Sequence, residues 1–286
     1  MIASCKIAMV EMNRPGMTPF EILADLGIHD PEDLDIEAIA YYCGATIVYK
    51  SLFGCEARIM GVGDEAIITV NARSALERRR FSAGHELGHW MRDRGTAAFQ
   101  CSEKMFDDEW SQENPEQRAN RFASDLLMPP KIFRPLAKNL PITFATVQQL
   151  AAVFKMSLSA TAIRLVEYGS YPAMLVCNGP EARMWYVPSS NVKGRLWPVD
   201  RPGQWTHASG ILSGRSRANG PHDVRADEWI KNFRADQYWI KEDSIPWSGG
   251  TALTLIWWDD ERQLIDLDNF EEETGSWRSD RRRDWD

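Results

Sequence analysis

Residues 80–91 read Arg-Phe-Ser-Ala-Gly-His-Glu-Leu-Gly-His-Trp-Met and contain the pentapeptide His85-Glu86-Leu87-Gly88-His89. On an α-helix, residues four apart lie one turn above each other on the same face. Two imidazole nitrogens on that face can meet one tetrahedral zinc ion at about 2.0–2.1 Å. The stretch therefore predicts a helix in which His85 and His89 are metal ligands.

Glu86 follows the first of these histidines directly. On the helix it points near the remaining coordination position, where a water molecule would bind. Zinc lowers the pKa of such a water and polarises a carbonyl group, and a nearby glutamate can take the water's proton. The pentapeptide thus predicts a hydrolytic site with Glu86 as general base.

The helix around the pentapeptide is predicted to run over residues 75–94. Ser74 and Glu77 have the spacing of a capping box at its start, and Gly95 supplies a terminating turn. Gly88 costs about 1 kcal/mol against alanine inside a helix, so its presence indicates close packing at that point.

A second helix, capped by Asn114, opened by Pro115 and closed before Pro129, is predicted to supply the third ligand. Catalytic zinc sites usually take three protein ligands and keep one position open. Glu116 is the predicted ligand, and Glu113, just before the helix, is its competitor. We favour Glu116 because a packed helix holds a ligand more firmly than a loop does. Without a metal, Glu116 would be an ordinary first-turn charge that stabilises the helix.

Two short helices are predicted before the zinc helix. Residues 18–27 have Thr18 and Glu21 as a capping box, and residues 36–43 have Asp35 as their cap.

Strands are predicted at 46–49, 57–60 and 66–70, and the last two form a hairpin through Gly63-Asp64. Either hairpin strand could present an open edge beside the metal, to which a substrate chain would add as an extra strand.

Beyond Pro129, helices are predicted at 145–154 and 159–168, with the spacing of a helix-turn-helix. Of the 12 tryptophans, only Trp90 and Trp110 precede residue 171. Apolar runs at 252–258 and 263–267 predict a β-hairpin, and the polar tail from Glu271 is predicted to be disordered.

The expected fold class is α+β, with three domains. Residues 1–140 form the metal-binding domain, and 141–171 form a helical pair of helix-turn-helix type. Residues 172–286 form a β-rich, tryptophan-containing C-terminal domain, a candidate sensor or partner-binding module.

Composition narrows the class of protein. The 286 residues include 44% apolar and 26% charged residues, the ordinary globular range. Five scattered cysteines without a Cys-x-x-Cys pair argue against a disulfide framework or a thiolate zinc ribbon. No apolar run reaches a membrane span, and no secretory signal is recognised, so a cytoplasmic protein is expected. The net charge of −8 disfavours free nucleic acid as a partner.

Three ordered segments resemble the ImmA/IrrE family of zinc metallopeptidases: residues 68–71, residues 80–89 and residues 116–129, the last reading Glu-Gln-Arg-Ala-Asn-Arg-Phe-Ala-Ser-Asp-Leu-Leu-Met-Pro. The resemblance covers roughly residues 35–170. One departure is Gly84, where the family commonly has alanine, and it should loosen helix packing slightly.

The resemblance implies a gluzincin-like fold, one zinc per chain, and Glu116 as the family's glutamate ligand. It also implies a cytoplasmic endopeptidase. Several relatives cleave a helix-turn-helix transcriptional repressor to switch on phage, mobile-element or stress genes. The expected partner is therefore a repressor protein. One branch of the family carries a C-terminal sensor-like domain, although no residues of this chain could be matched to that module.

Other interpretations stay open. The helix pair 141–171 could contact DNA. It offers only two basic residues for phosphate contacts, Lys155 and Arg164, and it also carries the acidic Glu167. The C-terminal tryptophans could form a ligand cage or a partner surface, or simply pack a core. His207 and His222 are interpreted as isolated. A non-enzymatic regulator with a structural metal is the alternative function, and Glu86 discriminates against it because a structural site needs no base.

Overall fold

The computed structural model describes residues 16–93, 114–215, 220–232, 234–264 and 266–267. Its contacts divide the chain into two compact units, Met1–Phe133 with Ala151–Ser157, and Arg134–Leu150 with Leu158–Asp286. The predicted domain boundaries at 140 and 171 stay predictions, since contacts report packing and not independent folding.

The first unit combines a small sheet with helices. Its elements are α1 (Pro19–Asp25), α2 (Ile36–Tyr42), β1 (Ala45–Lys50), β2 (Ala57–Val62), β3 (Glu65–Asn71), α3 (Leu76–Arg92) and α4 (Pro115–Leu127), followed by α5 (Pro130–Ala137), which continues into the second unit. The sequence did not predict α5.

Helix starts in this unit follow the local signals at three of four predicted places. Thr18 and Glu21 form the predicted capping box of α1, Asp35 caps α2, and Asn114 caps α4 through the Glu116 N–H. Such caps stabilise a helix by about 1 kcal/mol each. The capping box predicted at Ser74 is wrong, because the N-cap of α3 is the next residue and the Ser74 hydroxyl donates to Glu56 instead.

The three-stranded sheet has the order β1-β3-β2, with β1 parallel and β2 antiparallel to β3. The predicted β2–β3 hairpin is confirmed, and Gly63 supplies its left-handed turn residue at φ 60°. Because β3 has a partner on each side, only β2 of that hairpin has an open edge among the described strands. The expectation that either hairpin strand could offer an edge is therefore wrong for β3.

Helix α3 packs against this sheet through Trp90. The Trp90 ring lies so close to Gly61 on β2 that a Cβ there would overlap with it. The indole N–H donates to the Cys43 carbonyl at 2.9 Å, so the ring is satisfied although it is buried. Trp90 thus fixes strand β2 beside the helix that carries His85 and His89.

Two helices precede the second sheet, α6 (Phe144–Phe154) and α7 (Leu158–Tyr168). The buried Asp243 carboxylate accepts the Phe144 N–H at 2.7 Å and so caps the start of α6. Burial raises the pKa of Asp243 despite this hydrogen bond.

Among the described residues no single helix is long and apolar enough to cross a membrane. Helices α6 and α7 reach that length and hydropathy only when they are taken together, and they are bent by 108° at their junction.

The second sheet is five-stranded and antiparallel, in the order β5-β4-β8-β7-β6. Its elements are β4 (Ala173–Asn178), β5 (Arg183–Pro188), helix α8 (His207–Leu212), β6 (His222–Arg225), β7 (Trp239–Trp247) and β8 (Thr251–Trp257). The β-rich character predicted for the C-terminal region is confirmed.

The hairpin predicted between 252–258 and 263–267 is wrong. Strand β8 pairs with β4 and β7, and residues 262–264 and 266–267 are helical. The real hairpin joins β7 to β8 through Gly249 and Gly250, both at positive φ. The tail from Glu271 lies outside the described residues.

Three of the eight described tryptophans of this unit, Trp229, Trp257 and Trp258, are buried, as the packing interpretation expects of core residues. Trp229 and Trp258 are fully buried in one apolar cluster with strand residues of β4 and β8. Trp205 and Trp239, by contrast, are 73% and 59% exposed, so packing accounts for only part of the tryptophan content.

Candidate metal centre

The two histidines and Glu116 come together because α3 and α4 pack unusually closely. A Cβ at Gly88 would lie 3.0 Å from the Ala119 Cα and 3.1 Å from its carbonyl oxygen. The close packing predicted from Gly88 is therefore confirmed. A Cβ at Gly84 would lie 3.3 Å from Ala123. A contact of this length does not decide whether alanine would pack better here, so the expectation that Gly84 loosens the packing stays a prediction.

The side chains of His85, His89 and Glu116 form a compact triangle at this helix pair, each with one possible ligand atom within 4.8 Å of the others. The Nε2 atoms of His85 and His89 are 3.1 Å apart. Glu116 places Oε2 3.2 Å from the His85 Nε2 and Oε1 3.5 Å from the His89 Nε2. Ligands at about 2.0–2.1 Å in a tetrahedron lie about 3.3–3.4 Å from one another. The two Glu116 distances go to different carboxylate oxygens, and each is close to the separation expected between ligands of one tetrahedral metal ion.

Both histidines present a lone pair to this triangle. The Nδ1 of His89 lies 3.1 Å from an Asp93 oxygen, and the Nδ1 of His85 lies 2.9 Å from the Asn120 side-chain oxygen. An ionised carboxylate only accepts hydrogen bonds, so the His89 Nδ1–H donates to Asp93. The neutral ring then has its lone pair on Nε2, as a metal ligand must.

The electrostatics of the triangle favour positive charge. Hydrogen bonds with His85 and then His89 hold the pKa of Glu116 far below its usual range. Burial lowers the pKa of His89, but Glu116 and Asp93 outweigh that effect and raise the pKa above its usual value. Since both histidines are almost completely buried and Glu116 is 35% exposed, a cation would reach the triangle from the Glu116 side.

Glu86 lies next to this triangle in the same helix. Its side chain is buried, at 1% exposure, and its charge contributes to the raised pKa of His89. The Glu116 carboxylate, whose pKa is lowered, and two imidazole nitrogens are a donor set that suits a divalent cation. The residues present therefore fit such an ion.

A search of the described residues for three or more neighbouring side chains that could bind a metal ion finds His85, His89 and Glu116. The competing residue Glu113 lies outside the described residues. Asn120 was placed on the same helical stripe as Glu116, but no role at the site was predicted from the sequence for Asn120, Asp93 or Arg118. Two had a usable signal, since Asn120 follows Glu116 by four residues and Asp93 follows His89 by four.

His207 and His222, expected to be isolated, stack on each other in the second unit with ring centroids 3.6 Å apart. The fully buried Glu242 lies 3.7 Å from the His222 Nε2 and accepts hydrogen bonds from Trp229, Ala208 and Ser244. The interpretation of two isolated residues is wrong. Strand β6 pairs with β7 and carries His222, whose ring contacts His207, the first residue of α8.

Arg164, one of two basic residues considered for DNA, is 3% exposed. Its guanidinium donates to Glu167 at 3.1 Å and lies over the Tyr168 ring. A guanidinium held in this way offers little to a phosphate, so the packing interpretation of this helix is favoured.

Helices α3 and α4 bring two histidines and a glutamate together in a group that could hold a metal ion. Residues 45–166 match the family model of the IrrE N-terminal-like domain, Peptidase_M78. The chain therefore carries an IrrE N-terminal-like domain, as its resemblance to the ImmA/IrrE family predicted.

Two further comparisons bear on the whole chain. Comparison with curated protein sequences gives no match. A solved structure described as a Mycobacterium tuberculosis transcriptional regulator is similar at a TM-score of 0.54 and 13% identity, covering 89% of this chain and 77% of that one. At this identity the likeness concerns the fold alone.

Proposed function

We propose that this protein is a zinc-dependent endopeptidase that hydrolyses a peptide bond in a regulatory protein. The observation that carries the proposal is the triangle of His85, His89 and Glu116, with Glu86 beside it on the same helix. Two imidazoles and one carboxylate are a donor set that suits zinc in hydrolytic sites. A glutamate ligand from a downstream helix supports the gluzincin class.

The finding of three candidate ligands among the described residues favours a catalytic over a structural role. Closed structural zinc sites usually have four protein ligands, whereas catalytic sites have three and keep one position open. A non-enzymatic regulator with a structural metal remains the second candidate, and activity of the Glu86 variant separates the two.

Zinc bound by these ligands would acidify a water molecule and polarise the scissile carbonyl. Glu86 acts as the general base: it takes a proton from the attacking water while the water oxygen bonds to the carbonyl carbon. When the carbon–nitrogen bond breaks, the same proton passes from Glu86 to the leaving nitrogen. Glu86 therefore returns to its ionised form after each turnover.

Strand β2 is the proposed docking edge for the substrate. It is the hairpin strand with an open edge among the described strands, and Trp90 holds it against the zinc helix. An extended substrate segment can add to such an edge through main-chain hydrogen bonds. An edge strand binds the substrate mainly through its backbone and so discriminates little between sequences. Substrate selectivity therefore has to come from other contacts, and the C-terminal region is the candidate.

The proposed substrate is a helix-turn-helix transcriptional repressor, cut at an exposed extended segment. The proposal draws on the resemblance to repressor-cleaving relatives and on the edge strand. We expect the zinc-loaded protein to cleave a repressor encoded beside it, and to leave casein and most short peptides intact. Rapid cleavage of casein or of most peptides, without preference for the repressor, would contradict this selectivity.

Glu116→Ala should reduce zinc content far more than Glu113→Ala. The first change removes a charged ligand from the triangle, whereas the second removes a residue that we do not assign to it. Both variants remove one carboxylate close to the same helix start, so each controls for the general loss of charge. Metal analysis of the two purified proteins measures the difference, and the reverse ranking would show that the other acid is the ligand.

A further inference from the structure

Asp93 occupies an unfavourable place for an acid. It is the C-cap of α3, and its backbone N–H donates to the His89 carbonyl at 2.8 Å. A negative charge at this end of a helix opposes the helix dipole. An acid in such an unfavourable position is expected to have another interaction that stabilises it there.

Within the described part of the chain, two partners compensate for this placement, one on each carboxylate oxygen. Oδ2 lies 3.1 Å from the His89 Nδ1, and Oδ1 accepts a hydrogen bond from the Arg118 Nη2 at 2.7 Å. Asp93 is 6% exposed, while Arg118 is 40% exposed. The carboxylate is therefore held between a metal-ligand ring and a cation.

Arg118 comes from the first turn of α4, two residues after Glu116. His89 and Glu116 meet in the triangle, and Asp93 connects His89 to the helix turn that carries Glu116. Asp93 and Arg118 are 25 residues apart in sequence, so their contact ties together the helix end before a long connection and the helix start after it.

We propose that Asp93 is a positioning residue for the metal centre: it orients the His89 ring and keeps its donor hydrogen on Nδ1, and Arg118 holds Asp93 in place. This inference rests on the proposed zinc site. The other ligand ring, His85, has the neutral Asn120 amide in the same role, so the carboxylate makes His89 the more strongly polarised ligand.

The same contacts allow a simpler role, in which Asp93 and Arg118 only clamp the two helices. A partly exposed ion pair of this kind stabilises a fold only slightly. If Asp93 and Arg118 only hold the two helices together, replacing Asp93 should weaken zinc binding as much as replacing Arg118 does. If Asp93 acts through His89, its loss should cost more than that of Arg118. Removal of such an outer partner of a metal ligand typically weakens metal binding by about 10- to 100-fold.

The test compares Asp93→Ala, Asp93→Asn, Arg118→Gln and the control Arg121→Gln in the full-length protein. Arg121 is an exposed arginine on the same helix, three residues beyond Arg118. Zinc affinity is measured by competition with a chromogenic chelator, and the visible spectrum of the Co²⁺-loaded protein reports ligand geometry. Thermal unfolding of the metal-free proteins shows whether each variant folds.

We expect Asp93→Ala to bind zinc about 10- to 100-fold more weakly and to change the Co²⁺ spectrum. Asp93→Asn keeps an acceptor for His89 and should lose less. Arg118→Gln should lose less than Asp93→Ala, and Arg121→Gln should match the wild type. If Asp93→Ala fails to fold, Asp93→Asn replaces it in the test: weaker zinc binding than the wild type supports the proposal, and wild-type zinc affinity overturns it.

Equal losses for Asp93→Ala and Arg118→Gln, or wild-type affinity and spectrum in Asp93→Ala, would overturn the proposal. A wild-type protein that does not bind zinc would instead refute the zinc site on which it rests. The two failures are therefore distinguishable.

Discussion

Glu86→Gln should retain zinc at close to one ion per chain and lose peptide hydrolysis. Glutamine is nearly the same size and leaves the three ligands in place, but it cannot take a proton from water. A positioned general base contributes about 10²- to 10⁴-fold to rate, so cleavage of the substrate should fall by that factor. The rate is measured under single-turnover conditions on the wild type and the variant, with zinc content determined on the same samples.

Glu77→Gln is the matched control for this change. It makes the same substitution in the first turn of α3, well away from the triangle, and should leave zinc content and cleavage unchanged. Full activity in Glu86→Gln would exclude Glu86 as the base. Loss of zinc in that variant would leave the role of Glu86 in catalysis unsupported and indicate that it helps to hold the metal.

His85→Ala or His89→Ala should each lower zinc content from about one ion per chain to nearly none. Each change leaves two protein ligands of three, and it leaves Glu116 without one of the groups that keep it ionised. Cleavage should be lost together with the metal. His29→Ala, the same change at an exposed histidine before α2, is the control and should bind zinc like the wild type.

Circular dichroism of the metal-free variants separates an emptied site from an unfolded chain. A folded His85→Ala or His89→Ala protein that keeps its full zinc content would place the metal elsewhere. That result would remove the observation that carries the proposed function.

Local signals in the sequence were sufficient where one segment determines its own conformation. Thr18 and Glu21 are three residues apart and cap the same turn, so the pattern needs nothing from the rest of the chain. The same pattern at Ser74 failed because Glu56, distant in sequence, takes the Ser74 hydroxyl. Such competition is decided by tertiary contacts, which spacing does not report.

Strand pairing shows the same limit. The β2–β3 hairpin has a short turn and was predictable, whereas β8 pairs with β4, far back in the chain. Helix α5 was missed because Pro130 and Pro135 mark it as a break, although a proline is well tolerated in the first turn of a helix.

At the candidate metal centre, the predicted residues His85, His89 and Glu116 lie together. The helical period alone brings the two histidines onto one face, and Glu116 required the closer approach of α3 and α4 that Gly88 permits. Arg118 could not have been assigned from spacing, since its contact with Asp93 exists only after the helices pack. The roles of these residues await the variants above.

Elemental analysis of the purified full-length protein tests the central claim most directly, when the wild type, Glu86→Gln, His85→Ala and His89→Ala are compared side by side. We predict close to one zinc per chain in the first two proteins and nearly none in the two histidine variants. The same zinc content in all four, or a wild type without zinc after loading, would contradict a zinc site formed by His85, His89 and Glu116.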